Sequence, residues 1–169
     1  MNALLRLTQL HAGLARLLDL LQSLFLFAMR WYVAWQFWKS GWLKIMSWDT
    51  TLGLFRDEYH VPLLPPTLAA YVGTFGELFF PALLVLGLFG RVGALGGFAV
   101  NAMAVISYRQ VLLADGSEAA LAQHVLWGLM FALLAVFGSG QFSLDRWLES
   151  RSMASGLRRA LAATQSVAA

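Results

Sequence analysis

The fold is decided by residues 20–38, LLQSLFLFAMRWYVAWQFW, an apolar run in which Arg30 is the only charged residue. A second run, residues 67–89, is interrupted only by Glu77. Two further runs carry no charge: residues 92–108 and 119–137. A hydrocarbon core about 30 Å thick requires about 20 apolar residues in helical form. Each run approaches that length, so the sequence predicts four membrane-spanning helices.

The composition supports this prediction, because 59% of the 169 residues are hydrophobic and only 12% are charged. An ordinary soluble domain has about twice that charged fraction, about 25%. We predict an all-α protein, a membrane four-helix bundle with an amphipathic N-terminal helix and a short C-terminal amphipathic helix. The expected parts are an interfacial helix at 1–19, the four-helix domain at 20–142, and a C-terminal helix and tail at 143–169. The predicted spans are 20–42, 66–89, 91–112 and 118–138, with an extracytoplasmic capping loop at 43–65.

Leucines at helical spacing between Leu4 and Leu18 predict an amphipathic helix along the membrane surface. A helix that binds a partner protein would show the same pattern. The basic residues concentrate at the two termini and the second loop, which predicts that both termini are cytoplasmic. We therefore attribute the net charge of +3 to membrane topology and expect no nucleic-acid partner. The chain has no cysteine, so a redox role would require a bound cofactor, a quinone or a partner protein.

Arg30 and Glu77 are the charges expected inside the bilayer. Counted from helix boundaries at Trp42 and Pro66, they lie about 18 Å and about 16 Å deep at a rise of about 1.5 Å per residue. The matching depths predict an ion pair between the first two spans. Such a pair could fix the helix register, or it could serve proton uptake or a quinone oxygen. Asn101, in the third span, is expected to add a hydrogen-bonding group to this buried polar site.

A second polar cluster is expected near the extracytoplasmic face. Its members are Tyr108 and Arg109 after the third span, His124 in the fourth, and His60 in the capping loop. Histidine can donate to a quinone oxygen, relay protons or simply bond within the bundle. Trp35 and Trp38 belong to a tryptophan stripe that could stack on a flat ligand, although packing together with an interfacial aromatic belt is the favoured explanation. The histidine spacing predicts no metal site.

The order of several short motifs resembles the DoxX family of small bacterial membrane proteins. The matching features begin with Arg30 and the pattern W-x-x-G-x-x-K formed by Trp38, Gly41 and Lys44. They continue through Glu77, the Gly90-Arg91 turn, Asn101 and His124, and they end with the segment GSGQFSLD at 138–145. The resemblance covers residues 24–148. It implies a four-helix protein of the bacterial inner membrane.

Members of that family are linked to quinone-coupled oxidoreductase subunits, to oxidative-stress complexes and to operons for modified metal-binding peptides. The resemblance therefore implies a membrane subunit of a quinone-linked redox or stress-response system. The alternative is a non-catalytic scaffold or accessory protein that docks a partner enzyme or a modified metal-binding peptide. A homo-oligomer is compatible with both hypotheses. A small transporter is less favoured, because four spans offer little machinery for alternating access.

Overall fold

A computed structural model describes residues 2–153 and shows an all-α protein, as predicted. The long helix α1 comprises Asn2–Met46, and the short helix α2 comprises Trp48–Asp57. They are followed by α3 (Pro66–Leu86), α4 (Gly90–Ser107), α5 (Arg109–Leu112) and α6 (Glu118–Phe137). Residues 144–153 form a further helix, α7, at the predicted position. The predicted tail after residue 153 lies outside the described residues.

Four of the described helices are long and apolar enough to cross a membrane. They are Leu5–Met46 within α1, and the whole of α3, α4 and α6. The prediction of an all-α protein with four helices able to span a membrane is therefore confirmed. The third span ends earlier than expected, because the α-helix stops at Ser107 and the chain turns at Tyr108 into the separate helix α5.

Helix α1 is continuous for 45 residues, or about 68 Å, and has no break at the predicted boundary near residue 19. Its interior contains no proline, the residue that most often ends or kinks a helix. The hydrocarbon core of a bilayer is about 30 Å thick, so about half of this helix must lie outside it. The location of residues 1–19 along a membrane surface stays a prediction.

The bundle forms by successive packing of α1 on α3, α3 on α4, and α4 on α6. Its core is apolar and includes Val33, Phe37, Leu84, Phe131 and Leu134. Glycines in α4 allow close approach to α3. A Cβ atom at Gly93 would lie 3.2 Å from the backbone of α3, so a larger residue would separate the two helices.

The two ends of the bundle are closed differently. At the α2 end, α2 and residues 58–65 lie over the bundle, and Phe55 packs on Ala69 and Ala70 of α3. At the α3–α4 end, Asp145 caps helix α4: its carboxylate accepts hydrogen bonds from the backbone N–H of Phe89 and Gly90 at 2.8 and 2.9 Å. The start of α7 is thereby fixed to the α3–α4 turn.

Candidate functional site

Glu77 of α3 forms an ion pair with Lys44 of α1 inside the bundle. The Lys44 Nζ lies 2.7 Å from both carboxylate oxygens and donates a further hydrogen bond of 2.8 Å to the Ser40 hydroxyl. The lysine and glutamate side chains are only 14% and 11% exposed. Charges in an apolar bundle are costly unless they are paired, so this ion pair is the strongest marker of a functional site in the described chain.

The contact between Gly41 and Glu77 explains why Lys44 is the partner. A Cβ atom at Gly41 would lie 2.9 Å from the Leu78 side chain and 3.1 Å from Glu77, so the glycine lets α3 approach closely. Lys44 follows one turn later on the same face of α1. On the other side of this contact, the Trp38 indole N–H donates to the Leu78 carbonyl at 2.9 Å. These contacts fix the register of α1 against α3.

The same register makes the predicted Arg30–Glu77 ion pair wrong. Arg30 lies beside Gly87, at the end of α3, and not beside Glu77. The depth estimate assumed that α1 ends near Trp42, whereas the helix continues to Met46 and is covered by α2. The two charges therefore lie at different levels of the bundle.

Arg30 instead joins α1 to the segment that precedes α7. Its side chain is fully buried, and its Nη2 donates a 2.5 Å hydrogen bond to the Phe142 carbonyl. The guanidinium also lies 5.4 Å from the centroid of the Phe27 ring. The other two guanidinium nitrogens, Nε and Nη1, have no hydrogen-bond partner among the described residues. Arg30 therefore acts at the α3–α4 end, away from Glu77.

Asn101 and His124 form a reciprocal pair between α4 and α6. The Asn101 Nδ2 donates to the His124 carbonyl at 2.9 Å, and its Oδ1 lies 2.9 Å from the His124 Nδ1. Because the amide nitrogen is committed to the carbonyl, Oδ1 must accept, and Nδ1 must carry the hydrogen. The Nε2 of neutral His124 is then a hydrogen-bond acceptor. Asn101 thus bonds across the bundle, and it does so with His124 rather than with Arg30 or Glu77.

Two further polar groups near this level have no partner among the described residues. They are the Thr74 hydroxyl and the Trp127 indole N–H, both buried. Thr74 is one turn before Glu77 on the same buried face of α3. Trp127 lies with its ring centroid 5.0 Å from that of His124. Because buried polar groups are normally bonded, they indicate unused hydrogen-bonding capacity inside the bundle.

A cluster of side chains links the loop after α2 to the start of α5. Gln110 Nε2 donates to the Glu58 carbonyl at 2.7 Å and lies 3.0 Å from His60 Nδ1. The Tyr59 and Tyr108 rings pack edge to face, with centroids 5.1 Å apart. His60 and Tyr108 therefore belong to one cluster at the α2 end, through Gln110 and Tyr59 respectively, whereas His124 bonds to Asn101 instead.

Tyr59 belongs to this cluster, and its pKa responds to the charge of Glu77 although no hydrogen bond joins the two side chains. Burial raises the pKa of its phenol, and Tyr108, Glu77 and Glu58 raise it further. The charge of Glu77 thus reaches the loop that covers the α2 end. Since Tyr59 is half-buried and Glu58 and His60 are exposed, Tyr59 lies between the bundle interior and the outside.

Some predicted site residues do not face the interior. Arg109 is exposed and takes no part in these contacts, and Trp35 is 55% exposed on the outer surface of α1. The sequence interpretation missed Lys44 as the partner of Glu77, although the W-x-x-G-x-x-K spacing places Trp38, Gly41 and Lys44 on one face. It also missed Ser40, Thr74, Trp127 and Gln110, for which no motif gave a signal.

The side chains of this site are of the types that form hydrogen bonds and exchange protons. Within residues 2–153, no group of three or more His, Asp or Glu side chains could hold a metal ion. The buried and half-buried acid–base groups between the middle of the bundle and its α2 end include Glu77, Lys44, His124 and Tyr59. They can bind an oxygen-containing ligand and exchange protons with it.

Comparison with known proteins identifies the family. No curated protein and no solved structure matches the chain. A family model described as DoxX matches residues 25–110, just over half of the 169 residues. The matched region contains Arg30, Lys44, Glu77 and Asn101 together with the first three spans. The protein therefore belongs to the DoxX family of membrane proteins.

Proposed function

We propose that the protein is a membrane subunit of a quinone-linked redox system, in which the Lys44–Glu77 ion pair binds and protonates the quinone. The observation that carries this proposal is the ion pair itself, with both carboxylate oxygens 2.7 Å from the ammonium group inside an apolar bundle. Ionisable residues within membrane spans commonly mark proton pathways or ligand sites. The ion pair belongs to the matched DoxX region.

Reduction of a quinone to a quinol consumes two electrons and two protons. The described residues supply groups for the protons and none for the electrons, so the electrons would come from a partner protein with a redox cofactor. The Lys44 ammonium would donate a hydrogen bond to a quinone oxygen as negative charge develops there. Glu77, which the ion pair holds in place, would pass the proton, and Tyr59 would connect Glu77 with the α2 end.

The unpartnered polar groups support the same location. Thr74 belongs to the buried face of α3 that also carries Glu77, and Trp127 adjoins His124. The accepting Nε2 of neutral His124, near the same level of the bundle, would bond to a hydroxyl of the reduced quinol and not to a quinone oxygen, because a quinone oxygen is itself an acceptor. A ligand with two oxygens at opposite ends of a flat ring would engage donors on facing helices.

Binding of a quinone to protein purified in lipid nanodiscs tests this proposal. A photoreactive ubiquinone analogue should label the wild-type protein, with the label on α1 or α3 near Lys44 and Glu77. Glu77→Gln and Lys44→Met should lose most of the labelling, and excess unlabelled ubiquinone should compete with it. Lys39→Met is the matched control, because Lys39 is an exposed lysine on the same helix. Equal labelling of the wild type and both site variants would refute the proposal.

The alternative, a scaffold that docks a partner enzyme or a modified metal-binding peptide, is favoured by a separate groove at the α3–α4 end. This groove has a volume of about 880 Å³ and is lined by α1, α7 and the first turn of α4. Its charged residues carry both signs: Asp19, Arg91, Asp145, Arg146 and Glu149. If Glu77→Gln leaves the cellular phenotype intact while loss of α7 abolishes it, the scaffold function is the correct one.

A further inference from the structure

Helix α1 carries a heptad pattern of large apolar residues in which only one position, Ala28, is small. Counting Leu7 as position a, the a and d positions hold leucine six times in succession: Leu7, Leu10, Leu14, Leu17, Leu21 and Leu24. After Ala28, the same spacing continues with tryptophan: Trp31, Trp35, Trp38 and Trp42. The leucines and the tryptophans are thus one stripe of five heptads, which we call the α1 seam.

The α1 seam is exposed in the single chain. Its six leucines and three of its four tryptophans are between 44% and 71% exposed. Trp38 is half-buried, because its indole bonds to the Leu78 carbonyl. Within the part of the chain that the structure describes, the seam therefore has almost no protein partner, and its membrane-spanning part is left to contact lipid or another protein.

The opposite face of α1 is the one that packs within the chain. Leu26, Arg30, Val33 and Phe37 are buried against the other helices. Leu26 follows Leu24 by two positions, which is a rotation of about 200° around the helix at 3.6 residues per turn. The polar side of α1 likewise faces the chain's own groove through Asp19 and Gln22. The α1 seam therefore makes few of the contacts that hold the single chain together.

We propose that the α1 seam pairs with the same seam of a second copy of this chain, forming a parallel coiled coil that continues from the membrane-spanning part of α1 into its N-terminal extension. A period of 3.5 residues matches another helix, whereas a flat membrane surface imposes no such period. The repeat runs for five heptads, more than the three to four over which apolar a and d positions are typical of a coiled coil. Its e and g positions hold mostly apolar residues such as Leu18 and Leu20, so the a/d repeat itself supports the pairing.

Membrane anchoring favours a second copy over other helices as the occupant. All copies of a membrane protein cross the bilayer with the same orientation, so their α1 helices leave it in the same direction. Two such helices can align in parallel with Leu7 opposite Leu7 and Leu24 opposite Leu24. Confinement to the bilayer also raises their effective concentration.

Single-cysteine cross-linking of the full-length protein in native membranes tests this proposal, and the absence of native cysteines makes it unambiguous. Leu14→Cys, Leu17→Cys and Ala28→Cys lie on the seam and should be recovered mainly as disulfide-linked dimers after mild oxidation. Ala12→Cys is the matched control, since it is exposed on the side of α1 opposite the seam. It should stay monomeric. Equal cross-linking at Ala12 and Leu14, or none at any position, would overturn the proposal.

The mass of the purified protein in nanodiscs provides a second measurement. The wild type should give the mass of two chains, and Leu14→Lys combined with Leu17→Lys should shift it to one chain. Ala12→Lys should leave the dimer intact. A wild-type protein that is monomeric would refute the seam as a self-association surface. The helix would then serve the membrane surface or another protein, which spin labels at Leu14 would distinguish by their exposure to lipid-soluble oxygen.

Discussion

Lys44 and Glu77 are joined so that one ammonium group serves both oxygens of one carboxylate, each at 2.7 Å. This contact replaces the Arg30–Glu77 pair that charge and depth alone predict. It also joins the two helices with the most extensive mutual packing in the bundle, α1 and α3.

Replacing one of the two side chains of this ion pair should destabilise the protein more than replacing both. Lys44→Met or Glu77→Met alone leaves one buried charge without its partner, and we expect a loss of about 3–5 kcal/mol. The double variant Lys44→Met with Glu77→Met should lose less than the sum of the single changes. Reversible unfolding in mixed micelles measures the double-mutant cycle. Additive losses would show that the two side chains are not coupled.

Gly87 should be far less replaceable than Gly116, although both have positive φ angles of 64° and 85°. An alanine at either position incurs about 1–2 kcal/mol of backbone strain. At Gly87 the new Cβ would also collide with the Arg30 guanidinium and Ser143, whereas Gly116 faces open space.

Gly87→Ala should therefore lower the unfolding temperature clearly more than Gly116→Ala. The same unfolding assay compares the two variants. If they lose equal stability, the close packing of Arg30 against the end of α3 is not a significant constraint.

The Asn101–His124 pair should contribute a modest amount to stability. Asn101→Leu removes both hydrogen bonds and leaves the His124 Nδ1–H unpaired, while the His124 carbonyl keeps its helical bond within α6. Hydrogen bonds between membrane helices contribute about 0.6 kcal/mol on average and at most about 1.7 kcal/mol, so we expect a loss of about 1–2 kcal/mol. His124→Ala should show a similar loss, while His11→Ala, at an exposed position of α1, should have almost no effect.

The tautomer of His124 is a separate prediction. Nitrogen-15 NMR of the neutral ring should show Nδ1 protonated and Nε2 unprotonated. After Asn101→Leu, this preference should disappear, because the accepting oxygen is gone. A protonated Nε2 with a bare Nδ1 in the wild type would contradict the arrangement of the pair.

The phenol of Tyr59 should remain protonated at a pH at which an ordinary tyrosine, with a pKa of about 10, ionises. Burial, Tyr108, Glu77 and Glu58 all raise its pKa. In Glu77→Gln one of these causes is removed, so the pKa of Tyr59 should fall. The phenolate absorbance, taken as the difference from Tyr59→Phe, measures it. The unfolded chain releases this proton at lower pH than the folded chain, so the contribution of Tyr59 to stability is lost as pH rises above about 10.

A pKa of Tyr59 that is unchanged by Glu77→Gln would show that the charge of Glu77 does not reach the loop. Glu58→Gln is the useful comparison, because Glu58 is exposed and its influence is the smallest of the four causes. It should lower the pKa less than Glu77→Gln does.

The four spans could be predicted from the sequence because hydropathy over about 20 residues is a strong signal. The tertiary partner of Glu77 could not be predicted in the same way. It depends on the register of α1 against α3, which the close approach at Gly41 sets, and on the continuation of α1 to Met46. The depth count treated Trp42 and Pro66 as level, whereas Gly41 lies beside Glu77, so Arg30 meets Gly87 and misses Glu77 by about three helical turns.

Asn101 and His124 could be predicted individually from the sequence, but their pairing could not. The sequence identifies both as polar groups inside apolar spans, but it does not pair them, since pairing depends on the contact between α4 and α6. Gly128 of α6 lies against Asn101, and that small residue admits the amide. Partners across helices therefore follow from where glycine permits contact, and this is visible only once the helices are assembled.

The cap that Asp145 places on α4 has a consequence for biosynthesis. The backbone N–H groups of Phe89 and Gly90 bond to a residue made more than fifty positions later. During translation, α4 would enter the bilayer before Asp145 has been synthesised. The N–H groups at the start of α4 would therefore lack these two hydrogen bonds until residue 145 has been added. A chain truncated before Asp145 would keep the start of α4 without its cap. Cellular quality control could recognise such a chain by these unpaired N–H groups.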